Sequence, residues 1–145
     1  ALSAKIRNKD YRVFTILGDG EIGEGQVWEA AMFAGHYDLD NLCAFVDWNG
    51  LQIDGPITEV MNPMPHDEKF RAFGWNVVHA DGHDFESIEA AFANACACKG
   101  KPSVIIANSV KGKGVSFMED QASWHGSAPN DEQYAQAVAE IKASL

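Results

Sequence analysis

Gly18-Asp19-Gly20-Glu21-Ile22-Gly23-Glu24-Gly25 decides the reading of this sequence, because of what stands on either side of it. Before it, residues 12–17 are a short run of β-branched and aromatic side chains, the pattern of a buried strand. After it, residues 26–35 carry Val27, Ala30, Ala31 and Ala34 at helical spacing, and Gly35 is placed to stop the helix. A strand, a glycine-rich turn and a helix in that order put bare amides and a helix N-terminus at the carboxyl end of the strand, where anions bind.

The same alternation runs on through the chain. Residues 42–46, 76–80 and 103–107 read as strands, and residues 68–73 as a short helix. Residues 85–99 form a longer helix with Ile88, Phe92 and Ala95 along one face and Gly100-Lys101-Pro102 as its stop. A last helix over 131–145 is announced by Pro129 and Asn130, with acidic residues in its first turn, where the helix dipole favours them. The expectation is an α/β fold, a parallel sheet flanked by helices, in one domain. Two segments, 47–67 and 109–129, are too long and too rich in Gly, Pro and charge to be simple connectors, and such loops are usually functional.

Composition narrows the class. In 145 residues, 46% hydrophobic and 22% charged side chains are enough to build a core. Eleven basic residues face 21 acidic ones, a net charge of −10 spread along the chain, which argues against nucleic acid or an anionic membrane as partner. No apolar run approaches the roughly 18 residues of a membrane span, and the polar start has no signal-peptide core, so a cytoplasmic protein is expected. Cys43, Cys96 and Cys98 have no zinc spacing and are an odd number, and they read as packed thiols.

Taken literally, Gly18, Gly20 and Gly23 match the dinucleotide fingerprint, and Asp47 at the end of the second strand is placed to hold a ribose. Electrostatics separates that reading from another. Asp19, Glu21 and Glu24 put up to three carboxylates where a pyrophosphate would have to approach, and without a cation these charges repel it. A divalent ion such as Mg²⁺, Ca²⁺ or Mn²⁺ between carboxylate and diphosphate removes the conflict. Further oxygens come from the segment after the second strand, Asp47-Trp48-Asn49-Gly50-Leu51. Asp19 and Asn49 lie 30 positions apart, one strand–helix–strand unit, so adjacent parallel strands bring both to one edge of the sheet. The Asn49 amide oxygen and the Leu51 carbonyl then complete a face of three oxygens with Asp19.

With these blocks in view, Gly18–Gly25 and Trp48-Asn49-Gly50-Leu51-Gln52-Ile53-Asp54-Gly55 resemble the thiamine diphosphate motif in its transketolase form. A third block agrees: the stretch from Val110-Lys111-Gly112-Lys113-Gly114 to Trp124-His125-Gly126 is similar to the transketolase loop that closes over the cofactor. The resemblance runs from Tyr11 to about Pro129. It implies a thiamine diphosphate-binding fold, the pyrophosphate domain, with Asp19, Asn49 and Leu51 as ligands of Mg²⁺ or a similar ion. It also implies that Gly20 and Asn49 touch the diphosphate, that Gly18, Asp19 and Leu51 belong to the same cofactor site, that Ile53 packs on the thiazolium ring, and that Lys111 approaches the diphosphate. His125 would lie beside cofactor and sugar, as a hydrogen-bond donor to the substrate oxygen that gains charge. Glu24 matches a glutamate at the subunit interface that pairs with a partner's catalytic glutamate. His36, His66 and His83 match no catalytic group.

The activity so implied is transfer of a two-carbon ketol unit between sugar phosphates, as in the pentose phosphate pathway. A pyrimidine-binding domain with its catalytic glutamate is absent, as are family contacts upstream of the glycine loop. The chain therefore resembles the amino-terminal subunit of a split transketolase, shortened at its front. It is expected to need a pyrimidine-domain partner, to form a homo-oligomer and to be inactive alone. The alternatives are another thiamine-dependent enzyme, such as a deoxyxylulose-phosphate synthase or a 2-oxo acid dehydrogenase component, or a binding module without turnover.

Overall fold

The computed structural model describes residues 1–144, and its centre is the segment the sequence makes most apolar. Strand β6, Ser103–Asn108, is buried at five consecutive positions, so both its faces are covered. That is how an inner strand of a parallel sheet differs from an alternating, half-exposed one. Around it lie β1 (Val13–Gly18), β2 (Leu42–Trp48) and β5 (Asn76–Asp81), in the order β1-β2-β6-β5 and all parallel. The four strands are those expected, each extended or shifted by one or two residues toward its carboxyl end.

Helices cover both faces, as parallel strands require. On one side, α2 (Gly25–His36) and α4 (His66–Ala72) press Ala31, Ala34 and Phe70 onto Ala44, Val46, Val104 and Ile106. On the other, α5 (Phe85–Ala97) lays Ala91 and Ala95 over Cys43, Ala80, Ile105 and Ala107. Alanine on both helices lets backbone approach backbone. Trp75 fixes the approach on the α2 side by donating its indole N–H to the Ala31 carbonyl at 2.8 Å while its ring meets Phe70 edge-on at 5.3 Å. Burial pushes the Cys43 thiol up to about 11, which agrees with a packed and unreactive cysteine.

One expectation about α2 is corrected. Gly35 does not stop the helix, which runs on to His36. A Cβ at Gly35 would lie 1.9 Å from the Phe73 carbonyl oxygen, so the glycine is there for close passage of the chain after α4. Gly35→Ala should therefore destabilise the protein by about 3 kcal/mol or more, at the upper end for an overpacked site. A urea midpoint lowered at constant slope is the expected result, and an unchanged midpoint would show that the two segments separate at no cost.

The longer loops also hold more structure than composition suggests. Segment 47–67 contains a two-stranded hairpin, β3 (Leu51–Gln52) with β4 (Gly55–Pro56), then a helical turn, α3 (Ile57–Val60). The polar N-terminus forms a short helix, α1 (Leu2–Ile6), whose Ala4 is fully buried. Helix α6, Asp131–Ala143, begins with a capping box between Asn130 and Gln133, a feature worth about 1 kcal/mol. The last residue of the helix expected over 131–145 lies outside the described residues. Among the described residues no helix is long and apolar enough to cross a membrane.

Candidate cofactor and metal site

The β1–β2 register pairs Gly18 with Asp47, so the glycine loop and the segment after β2 leave the sheet at the same edge. Residue Asp19, the first beyond β1, is 2% exposed and turns inward. Its Oδ1 accepts the Gly20 N–H at 2.7 Å and its Oδ2 accepts the Gly50 N–H at 2.5 Å. One carboxylate thus ties the two loops together. Gly50 makes the second bond possible because its φ of +78° lies in a region that side-chain-bearing residues avoid.

Burial dominates the energetics of this carboxylate and raises its pKa. The amides of Gly50, Gly20 and Asn49 oppose that shift and the negative charge of Asp47 adds to it. No Lys, Arg or His forms an ion pair with Asp19 among the described residues. A buried carboxylate without such a pair costs free energy, and each of its oxygens still has a lone pair to offer. The residues therefore fit a hard divalent ion. No three His, Cys, Asp or Glu side chains converge to hold one among the described residues, so neutral oxygens and a ligand's phosphates must complete the shell.

Asn49 is the neutral side chain placed to do so, and its orientation is fixed from behind. Asp47 accepts the Asn49 Nδ2–H at 3.1 Å through Oδ2 and the Ser109 hydroxyl through Oδ1. With its NH₂ group held by Asp47, Asn49 presents Oδ1, which here accepts the Leu51 N–H at 3.0 Å. The sequence offered Asp47 as a ribose ligand and as the start of the oxygen-bearing segment after the second strand. One of its oxygens instead orients Asn49 and the other accepts the Ser109 hydroxyl, a contact that no local pattern in the sequence announces. An acidic residue two positions before Asn49 was the available signal for the first of these contacts.

A cavity of about 390 Å³ opens here, lined by Gly18, Asp19, Gly20, Glu21, Asp47, Asn49, Leu51, Gln52, Ile53, Lys111 and His125. Every cofactor or metal residue expected from the sequence is on this wall. Gly18 is on the wall with its amide donating to Glu21 Oε2 at 3.1 Å, as the Gly20 amide donates to Asp19 Oδ1 at 2.7 Å. Ile53, 69% exposed at the rim, is free to meet an apolar ring and is not packed in a loop core. Glu24 lies outside the cavity wall as the exposed N-cap residue of α2, with no capping hydrogen bond from its side chain.

Lys111 and His125 come from the two ends of segment 109–129 and meet across the opening. The Lys111 ammonium has only donors, so its 3.3 Å contact with His125 makes Nδ1 the acceptor and leaves the ring hydrogen on Nε2. His125 thereby offers an N–H outward. The segment between them is a self-bonded loop: the Lys111 carbonyl accepts from Asp120 N, and the Trp124 indole donates to the Phe117 carbonyl. Gly112 is required in it, since a Cβ there would lie 2.5 Å from the Met118 carbonyl oxygen and φ is +75°. The loop is held to α6 through Glu140, which accepts from the Ser116 amide and hydroxyl at 2.6 and 2.8 Å.

Fold and site together define a parallel α/β domain whose strand ends present a buried carboxylate, oriented neutral oxygens and a lysine, a set suited to a metal-bridged diphosphate. The family model described as transketolase, thiamine diphosphate binding domain matches residues 4–143, and the chain belongs to that family. It is 46% identical over 143 residues to the 6-deoxy-6-sulfo-D-fructose transketolase subunit SqwG of Clostridium sp. (strain MSTE9), covering 98% of this chain and 52% of that protein. It is 43% identical over 141 residues to a subunit of the apulose-4-phosphate transketolase of Phocaeicola vulgatus, covering 97% of this chain and 50% of that protein. The crystal structure of transketolase from Campylobacter jejuni superposes with a TM-score of 0.87 at 30% identity, over 92% of this chain and 21% of that one. The chain thus spans about half the length of the subunit-type relatives it matches.

Proposed function

We propose that this chain is the metal- and diphosphate-holding part of a transketolase that moves a two-carbon ketol unit between sugar phosphates, completed by a partner carrying the pyrimidine-binding domain. The observation that carries this reading is the meeting of Asp19, Asn49, Leu51, Lys111 and His125 on one cavity, around a buried carboxylate that no basic side chain pairs with among the described residues. Thiamine diphosphate, when bound, supplies the electron sink for breaking the bond beside a ketose carbonyl. Asp19, the Asn49 amide and the Leu51 carbonyl hold Mg²⁺ or a similar ion, Lys111 neutralises diphosphate charge, and Ile53 gives the ring an apolar seat. Calorimetric titration with thiamine diphosphate, with and without Mg²⁺ and again with NAD, tests this reading directly. Uptake of NAD in preference to thiamine diphosphate would overturn it.

The substrates follow from the relatives' names only as candidates. One is named for a ketose bearing a sulfo group and one for a phosphorylated ketose, so turnover of sulfonated and phosphorylated ketoses should be compared, with pyruvate as the control for other thiamine-dependent chemistry. His125 acts on substrate and not on diphosphate, through its Nε2–H. In the assembled enzyme His125→Ala should therefore lower kcat by about 10- to 1000-fold, the range for loss of one donor to a developing oxyanion. Cofactor affinity should change far less. Unchanged kinetics would leave His125 only its contact with Lys111.

A further inference from the structure

The turn after β5, Asp81-Gly82-His83-Asp84, is part of none of the chemistry above, yet it is fastened to the start of the loop that carries Lys111. The Gly82 N–H donates to the Asn108 carbonyl at 2.6 Å, and a Cβ at Gly82 would lie 2.9 Å from that oxygen and 3.0 Å from Ser109 Cβ. The turn is therefore seated directly on the end of β6. From this seat His83 reaches forward, its own N–H donating to Asp81 Oδ1 at 2.8 Å and its Nε2 accepting the Val110 N–H at 2.7 Å. Because Val110 is the donor, the ring is neutral with its hydrogen on Nδ1.

We infer that His83 is a positioning residue of the cofactor site, holding Val110 so that the adjacent Lys111 is presented to the diphosphate before the ligand arrives. This rests on the cofactor-site reading above. Lys111 lies between two fixed points, since the amide before it is held by His83 and its own carbonyl is held by Asp120. Asp120 belongs to the loop itself, whereas His83 belongs to the turn seated on the end of β6. Without His83 the loop would keep its internal bonds but lose this attachment beside the lysine. Ordering Lys111 would then be charged against binding, as for any group not preorganised.

His83→Phe keeps a ring of similar size and removes the acceptor; His83→Gln places an amide oxygen close to the position of Nε2. In the chain alone, the Val110 amide should exchange about 5- to 10-fold faster in His83→Phe and near the original rate in His83→Gln, the scale of one net hydrogen bond. Titrated with thiamine diphosphate and Mg²⁺, His83→Phe should bind about 5- to 10-fold more weakly and His83→Gln within about twofold of the unchanged chain. In a Lys111→Met background the further substitution His83→Phe should leave cofactor affinity where it was, because its effect passes through the lysine. Equal Val110 exchange in His83→Phe, undiminished affinity, or the same loss with Lys111 already removed would each overturn the inference. Failure of the unchanged chain to take up thiamine diphosphate with Mg²⁺ would instead sink the cofactor-site reading, and the Val110 exchange rates would still decide whether His83 holds the loop.

Discussion

Asp19→Ala should abolish tight uptake of thiamine diphosphate with Mg²⁺, lowering affinity by about 100-fold or more, since loss of an outer-shell partner alone commonly costs 10- to 100-fold. Two effects add. The substitution removes the one buried carboxylate among the expected metal ligands, and it also frees the Gly20 and Gly50 amides that Asp19 holds. With those bonds gone the β1 and β2 loops lose the link that sets Asn49 and Leu51 beside the glycine loop. Titration of the unchanged chain in excess chelator separates the two effects, because it removes the ion and leaves the loops tied. Equal affinity in chelator would defeat the argument that a cation bridges carboxylate and diphosphate.

The pH dependence of this binding has a definite sign. Burial raises the Asp19 pKa above the 3.8 of an ordinary aspartate. In the metal-free chain the group therefore contributes most to stability in acid, below its unfolded pKa, and that contribution is lost as pH rises through the raised folded value. Metal requires the ionised form, so the Mg²⁺-dependent gain in Tm should shrink on acidification, starting at a pH above the usual aspartate range. The two trends run in opposite directions and are measurable on one sample with and without the ion.

The parts of the site legible in the sequence were those set by period. A strand–helix–strand unit puts Asp19 and Asn49 at neighbouring strand ends wherever the sheet is parallel, and the β1–β2 register places them so. β6 was legible because burial on both faces leaves a continuous apolar run. What escaped was set by contacts between segments distant in sequence. Ser109 is 62 positions from Asp47, and no local pattern announces that its hydroxyl meets that carboxylate. Gly35 gave the signal of a helix stop, but the carbonyl of Phe73, far along the chain, decides its role. Sequence spacing gives which backbone ends meet; it does not give which side chain then wins a shared donor.

The second large effect expected is the absence of turnover from this chain alone. Its residues supply a metal face, a lysine and a donor histidine, and the one glutamate on the cavity wall, Glu21, accepts the Gly18 amide of its own loop, so the catalytic glutamate and the pyrimidine pocket that the family resemblance requires are expected from a partner. We expect assembly with a pyrimidine-domain partner, and with a second copy of the chain, through the surface around Glu24. That carboxylate is exposed at the start of α2 and its side chain makes no capping bond, so it is available to a group from outside. A partner's carboxylate brought against it would be strongly coupled to it, because two nearby acids are costly to ionise together. Closure by the partner would also exclude water from the opening flanked by Lys111 and His125 and strengthen the charge interactions there. Glu24→Gln should therefore weaken assembly or turnover in the complex while leaving the urea midpoint of the isolated chain unchanged. Sedimentation of the mixture and a ketol-transfer assay before and after adding the partner measure both halves. Robust turnover by the purified 145-residue chain, with no partner present, would show that the site is complete without one.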